Sequence, residues 1–252
     1  MKHFRFILTV LAVLTLQAAR ISAQGLPSGQ PSSSQIIGHL GFTLSYNETL
    51  RIPDWVAWEL TAQEAAAKEA SRTDEFLPDP DVRGYCPDTW QYSRSGFDRG
   101  HMAPAADMKW SLKAMEESFY LSNVCPQDRE LNAGLWCELE QRCRVYARMF
   151  GKLQIVTGPL VGESPRTIGS EHVTVPGAFF KALLAERGGE CFCIGFIMPN
   201  SPLDRAEDIF SYAVSVSDIE KASGLRLWPE MKDPSAKDTV SKEEFDIKWT
   251  KR

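Results

Sequence analysis

The hydrophobic pattern switches along the chain between a period of two and a period near 3.6, and the switches spell out an α+β order. Phe42 to Tyr46 and Pro53 to Leu60, the latter carrying Trp55 and Trp58, read as strands, because aromatic residues suit a half-buried pleated surface. Thr61 to Ser71 is alanine-rich and reads as a short helix or an insertion. The glycine-punctuated stretch Gln91 to Met102 places His101 on or just after a strand, and Ser118 to Asn123 offers a second strand. From Leu131 to Phe150 the apolar residues Leu131, Leu135, Leu139, Val145 and Met149 recur mostly at helical spacing, with Gly151 placed to stop the helix.

Leu153 to Thr157 is β-rich. Ala178 to Ala185 and Cys191 to Met198 read as two strands joined through Gly188-Gly189. In the second strand Phe192, Ile194, Phe196 and Met198 share one face and the cysteines the other. A further helix is expected around Val216 to Ala222, and the charged tail after Pro229 is left unassigned. No internal repeat is visible, so residues 36–252 read as a single domain large enough to bury a real core.

The N-terminus changes the picture. Met1 to Arg5 is basic, Phe6 to Leu16 is apolar, and Ile21-Ser22-Ala23 resembles a cleavage site, so residues 1–23 are expected to be a signal peptide. The apolar run is too short to span a bilayer, and no later stretch is apolar enough for a membrane helix. Residues 24–35, rich in Gly, Pro and Ser, read as a flexible leader. The resulting expectation is a secreted or periplasmic protein.

Composition adds two constraints. The formal charge is −5, and loss of Lys2, Arg5 and Arg20 with the leader makes it more negative. Holding a duplex by charge alone needs a basic excess, so that mode of binding is excluded, whereas an enzyme that needs positive potential only around one phosphate is not. All six cysteines (Cys86, Cys125, Cys137, Cys143, Cys191, Cys193) lie beyond the leader, and an even number in an exported chain favours disulfides. Six cysteines allow fifteen pairings. Cys137 with Cys143 and Cys191 with Cys193 are geometrically poor, and the remaining arrangements stay open.

Three histidines outside the leader, His39, His101 and His172, are available as bases. An imidazole titrating near pH 6.5 takes a proton from water at neutral pH. His101 stands out within Asp98-Arg99-Gly100-His101-Met102-Ala103-Pro104, and thirty-one residues later Asn132 opens Asn132-Ala133-Gly134-Leu135-Trp136. Taken alone, His101 would be structural, Asn132 an N-cap, Glu140 a solvated helix charge, and Arg72 and Arg144 surface ion-pair partners. On a straight helix Asn132 and Glu140 stand about 12 Å apart along the axis, too far to bind one ion directly.

The two motifs together resemble the signature of the non-specific DNA/RNA endonucleases of the ββα-metal fold, of which the Serratia nuclease and endonuclease G are examples. That resemblance implies an α+β fold with a mixed or antiparallel central sheet flanked by helices. It implies His101 as general base, Asn132 as direct ligand of Mg²⁺ with Mn²⁺ as the alternative ion, and Glu140 acting on the ion through water. Arg72, Arg99 and Arg144 are then the clamps on phosphate oxygens. Trp136 is expected in the core, and Asp98 as a residue that orients its neighbours.

The function implied is Mg²⁺-dependent hydrolysis of DNA and RNA to 5′-phosphate and 3′-hydroxyl ends, through contacts to backbone phosphates. Partners are nucleic acid and no membrane, with a homodimer and a protein inhibitor left open. The competing reading is a catalytically inactive nuclease-fold module serving in binding or structure. A different hydrolase would need its own nucleophile, and the chain contains neither a Gly-x-Ser-x-Gly elbow nor a His-Glu-x-x-His helix.

Overall fold

The structure, a computed structural model, describes residues 25–246. Its centre is a seven-stranded sheet of order β1-β2-β3-β6-β9-β10-β11, in which every neighbouring pair is antiparallel. The strands are β1 (Gln35–Gly38), β2 (Thr43–Asn47), β3 (Ile52–Thr61), β6 (Lys152–Leu160), β9 (Ala178–Arg187), β10 (Glu190–Pro199) and β11 (Ala213–Val214). Both faces are covered, so the long strands are apolar on alternate sides rather than on one. Val56, Trp58, Ile155 and Leu183 face one core, while Trp55, Ala57, Val156 and Ala182 face the other. On β10, Phe192, Ile194, Phe196 and Met198 do share one face opposite Cys191 and Cys193.

The hairpin β9–β10 turns through Gly188 and Gly189, both with positive φ (64° and 87°), the backbone that a two-residue turn matching strand twist demands. Gly151 (φ 87°) ends the long helix as expected, and Gly224 in the left-handed region closes the helix Val216–Ser223 on the second face.

On the first face lie the elements that carry the sequence motifs. A two-stranded hairpin pairs β4 (Asp98–His101) with β5 (Val124–Gln127). Between them runs α1 (Leu112–Ser118), capped by the Ser111 hydroxyl, which accepts from the Ala114 N–H. Two helices follow the hairpin, α2 (Arg129–Ala133) and α3 (Leu135–Phe150), and α3 packs on β3, β6 and β9. The second strand thus begins at Val124, not within Ser118 to Asn123. Ser118 ends α1, and Leu121 to Asn123 winds as a 3-10 turn because the Leu121 N–H bonds to the Leu77 carbonyl rather than to a strand.

The helix expected over Leu131 to Phe150 is broken at Gly134 (φ −105°, ψ −117°). A Cβ there would lie 2.3 Å from the Glu130 carbonyl oxygen, so only glycine allows the chain to change direction at this point. The straight-helix separation of Asn132 and Glu140 therefore does not apply. Thr61 to Ser71 forms only a single 3-10 turn, Glu64–Ala66, with Thr61 and Glu64 bonded reciprocally as in a capping box.

The stretch read as a flexible leader is tied to the domain over residues 25–35. Ser28 bridges Arg226, Leu26 packs against the second core, and Gln35 already belongs to β1. Residues 1–23, the expected signal peptide, lie outside the described residues. Among the described residues no helix is long and apolar enough to cross a membrane.

The expected disulfides are corrected: all six cysteines are unpaired. The sheet separates them. Cys86, Cys125 and Cys143 belong to the core on the α3 side of the sheet, whereas Cys191 and Cys193 belong to the opposite layer. Burial pushes the Cys143 and Cys193 thiols up to about 12, so these side chains behave as small hydrophobes.

Candidate active site

Asn132 does not cap a helix. That task falls to Asp128, whose carboxylate accepts from the N–H groups of Glu130 and Leu131 and starts α2. Asn132 lies one turn later, and its Nδ2 donates to the Asp98 carboxylate on β4 at 3.0 Å. A carboxylate can only accept, so the amide must turn its N–H group toward Asp98 and its oxygen away. Asp98 also accepts from Arg129 at 3.3 Å.

Three residues down the same strand, about 10 Å along it, His101 is buried among aromatic rings. Phe119 meets it edge-on at 4.9 Å and Phe76 lies tilted at 5.2 Å. Each ring carries a guanidinium, Arg99 at 4.3 Å from the Phe76 centroid and Arg72 at 4.9 Å from that of Phe119. Burial, then Arg72 and Arg99, pull the imidazole down to about 3, against the opposing pull of Asp74. Its Nε2 has no hydrogen-bond partner among the described residues.

Gly100 leaves room for Gln127, whose side-chain oxygen would sit 2.2 Å from an added Cβ. After the histidine, the Asn123 amide bonds both backbone groups of Ala103, at 2.9 Å each, and fixes how the chain leaves the strand. Asn200 ties the end of β5 to the start of α2, accepting from the Asp128 N–H at 2.7 Å and donating to the Pro126 carbonyl at 3.0 Å.

Arg72, Arg99 and Asn132 line one cleft of about 600 Å³, together with Asp98 and Arg129. His101 does not line it, but its ring lies 5.2 Å from that of Phe76, which does. Glu140 and Arg144, on successive turns of α3, lie in an inner layer. Arg144 donates to Asp107 at 2.8 Å, and Asp107 also accepts from the Trp58 indole at 3.2 Å. Burial alone would lower Arg144, but the charge and hydrogen bond of Asp107, helped by Glu140, outweigh it and keep the guanidinium firmly charged. Burial pushes the Glu140 carboxyl up to about 7 in spite of Lys181 and Arg144. Arg72 exerts its charge on both His101 and Glu140 and so links the two groups electrostatically.

The residues that sequence reasoning missed are Asp107, Lys181, Phe76 and Phe119. Lys181 is fully buried, with its ammonium 4.5 Å from the Trp136 ring and 5.2 Å from Trp58, and no hydrogen bond. One signal was readable: a single lysine within the apolar strand Ala178–Arg187, on the same side as Phe179 and Leu183. Trp136 lies in the core as expected.

The donor set fits a hard divalent cation. Asn132 presents a carboxamide oxygen with its N–H already committed, and the Glu140 carboxylate accepts no hydrogen bond among the described residues. A second cluster, His39, Asp79 and Asp81, brings ligand-type atoms within 4.8 Å of one another. It lies outside the cleft, and its central carboxylate is already bonded to His39 at 2.9 Å, Ser122 at 2.5 Å and the Asp81 N–H at 2.9 Å, which makes it an internal tie. His172, the third histidine, sits in the turn before β8 (Val173–Thr174).

A β-hairpin bearing the histidine, followed by a helix bearing the asparagine, defines the ββα-metal nuclease fold. The chain belongs to the DNA/RNA non-specific endonuclease family, whose model matches residues 21–233. Among its relatives, the mitochondrial nuclease EXOG of Danio rerio is 36% identical over 228 residues, 85% of this chain and 66% of the relative. Human mitochondrial endonuclease G is 37% identical over 217 residues, 81% of this chain and 72% of its own. The chain thus spans just under two thirds of the length of the first. A crystal structure of an endonuclease G in complex with the inhibitor EndoGI superposes with a TM-score of 0.79 at 27% identity, covering 86% of this chain and 93% of that one.

These relatives correct the expectation of a secreted or periplasmic protein, because they are named as mitochondrial nucleases. The inference to export rested on the apolar leader, which lies outside the described residues, and the disulfides were expected because of it. With the cysteines unpaired, they lend no support to an oxidising compartment.

Proposed function

We propose that this protein is a divalent-metal-dependent endonuclease that hydrolyses phosphodiester bonds of DNA and RNA, leaving 5′-phosphate and 3′-hydroxyl ends. The observation that carries this reading is the joining of the two motifs through the Asp98–Asn132 hydrogen bond, with Arg72 and Arg99 on the wall of the same cleft.

Arg72 and Arg99 hold the non-bridging oxygens of the scissile phosphate, each through a planar fork. A water that reaches the unpartnered Nε2 of His101 beside Phe76 gives its proton to that nitrogen as its oxygen bonds to phosphorus; the bond from phosphorus to the 3′ oxygen breaks, and that oxygen takes a proton from solvent water. Bound phosphate places negative charge against the two guanidiniums that depress His101, which raises the basicity of the imidazole when substrate is present. Asn132 and Glu140 would hold Mg²⁺, or Mn²⁺ in its place, Asn132 directly and Glu140 through water. The ion supplies positive charge beside the phosphate and leaving oxygens. Arg144, held by Asp107, backs that charge from α3. Because water is the nucleophile, the sugar 2′-hydroxyl is not needed and both nucleic acids are substrates.

The test is to incubate purified protein with plasmid DNA and with RNA, with Mg²⁺ or excess chelator, beside His101→Ala. Cleavage of both substrates that needs metal and His101 is expected. Cleavage of neither by the intact protein with Mg²⁺ would leave an inactive nuclease-fold module in place of the enzyme.

A further inference from the structure

Of the six tryptophans among the described residues, Trp55, Trp58, Trp136 and Trp228 are buried and Trp110 is partly so, whereas Trp90 is 56% exposed. Its place is specific. It projects from the 3-10 turn Thr89–Tyr92 onto the wall of the cleft that also holds Arg72, Arg99 and Asn132. Among the described residues the indole makes no ring or cation contact.

The turn that bears it is firmly seated. Gln91 and Tyr92 are buried, the Gln91 side chain accepts from the Glu171 N–H at 3.1 Å, and the Ser93 N–H closes the turn onto the Trp90 carbonyl at 3.0 Å. The exposed indole thus stands on a fixed support beside a row of guanidiniums, so a flat ring carried on an anionic backbone would meet both at once. The cleft wall carries Arg72, Arg99 and Arg129 against Asp74 and Asp98, a local positive excess on a chain of charge −5.

We propose that Trp90 is a stacking platform for an unpaired nucleobase of the strand whose phosphate lies at Arg72 and Arg99, so that this cleft favours single-stranded or unstacked DNA and RNA over intact duplex. The inference rests on the nuclease reading above and deepens it. A cleft of about 600 Å³ is of the size that holds a small-molecule ligand, room for one nucleotide of a strand laid across it. Within a duplex both faces of each base are already stacked, and freeing one costs a few kcal/mol, which an unpaired strand does not face. Every base has a π-face, so the contact adds affinity without reading sequence, and it needs no basic excess over the whole surface.

The test measures binding of a fluorescein-labelled single-stranded DNA oligonucleotide, the matching RNA and a hairpin duplex, in chelator, to intact protein, Trp90→Ala and Trp90→Phe. Stacking worth a tenfold change, within the range known for base–aromatic contacts, predicts that Trp90→Ala weakens both single strands about tenfold and the hairpin less than about twofold. Trp90→Phe should stay within about threefold of the intact protein, and the slope of log affinity against log salt should be unchanged by either, because stacking releases no counterions. Arg129→Gln, by contrast, should lower that slope. Equal loss on single strand and hairpin, or no loss on either, overturns the stacking platform. The nuclease reading fails separately, by absence of Mg²⁺-dependent cleavage in the intact protein, and the binding measurement stands whichever way that assay falls.

Discussion

The Asp98 carboxylate accepts the Asn132 amide at 3.0 Å across 34 positions of sequence, joining the strand that bears His101 to the helix that follows the hairpin. The bond determines which end of the amide is free. With Nδ2 held by Asp98, Oδ1 is the atom left to meet a cation, so in the proposed mechanism Asp98 sets how the oxygen offered to the ion points.

Removing that orientation should weaken the metal rather than the fold. Replacing Asp98 with Asn lets the two amides pair in either sense and frees Asn132 to turn its oxygen inward. The expected result is a loss of about 10–100-fold in metal affinity or activity, the usual cost of losing such a supporting contact. A titration of activity against Mg²⁺ concentration checks it, and an unchanged half-saturating concentration would count against the role given to Asp98.

Acid should affect His101 at a lower pH than its type suggests. With the imidazole drawn down to about 3 by burial, Arg72 and Arg99, the folded protein keeps it neutral where the unfolded chain, near 6.5, takes up a proton. The unfolded state then binds more protons between those values, so the stability that His101 permits is fully present above about pH 6.5 and is lost as pH falls toward 3. Denaturant melts of intact protein and His101→Asn across this window should converge as pH falls. Parallel curves would show that the histidine is not held neutral. The ratio kcat/KM, which reports the free enzyme, should likewise outlast the fall below about pH 6 that an unperturbed histidine would impose.

The break between α2 and α3 should tolerate no side chain. A Cβ at Gly134 meets the Glu130 carbonyl at 2.3 Å, so Gly134→Ala must shift backbone on one side of the site. We expect a loss of about 1–3 kcal/mol in stability, together with reduced activity, read by denaturant unfolding and by plasmid cleavage. Wild-type values for both would show that the two helices can straighten without cost.

Asp107 should matter more to stability than any surface pair. It is fully buried and holds Arg144 and the Trp58 indole. Asp107→Ala leaves a largely buried guanidinium without its counter-charge, a loss of the kind that costs about 3–5 kcal/mol. Arg72→Ala, which breaks an exposed pair with Asp74, should change stability by about 1 kcal/mol or less. Equal effects from the two variants in thermal unfolding would contradict the buried placement of Asp107.

Much of this architecture was readable from the chain because its periodicities are local. The strands around Trp55, Ile155, Leu183 and Ile194, the Gly188-Gly189 turn and the glycine stops at Gly151 and Gly224 all follow from alternation and backbone freedom, which need no knowledge of distant residues. The family was legible in two short motifs around His101 and Asn132, because the order strand, strand, helix packs both into a short span of sequence. Reading the cysteines as bridges failed because the count carries no information on which side of the sheet each thiol lies.

What only the tertiary structure decided are the contacts that span many residues. Asn132 is aimed by Asp98, Arg144 is held by Asp107, and His101 is depressed by guanidiniums resting on Phe76 and Phe119. Trp90 is brought to a cationic cleft, and Lys181 is buried beneath the helix of Glu140. Periodicity reports which face of an element is apolar, but the charge state and aim of a polar group depend on what the rest of the chain packs around it. That packing is settled only when the sheet, hairpin and broken helix close on one another.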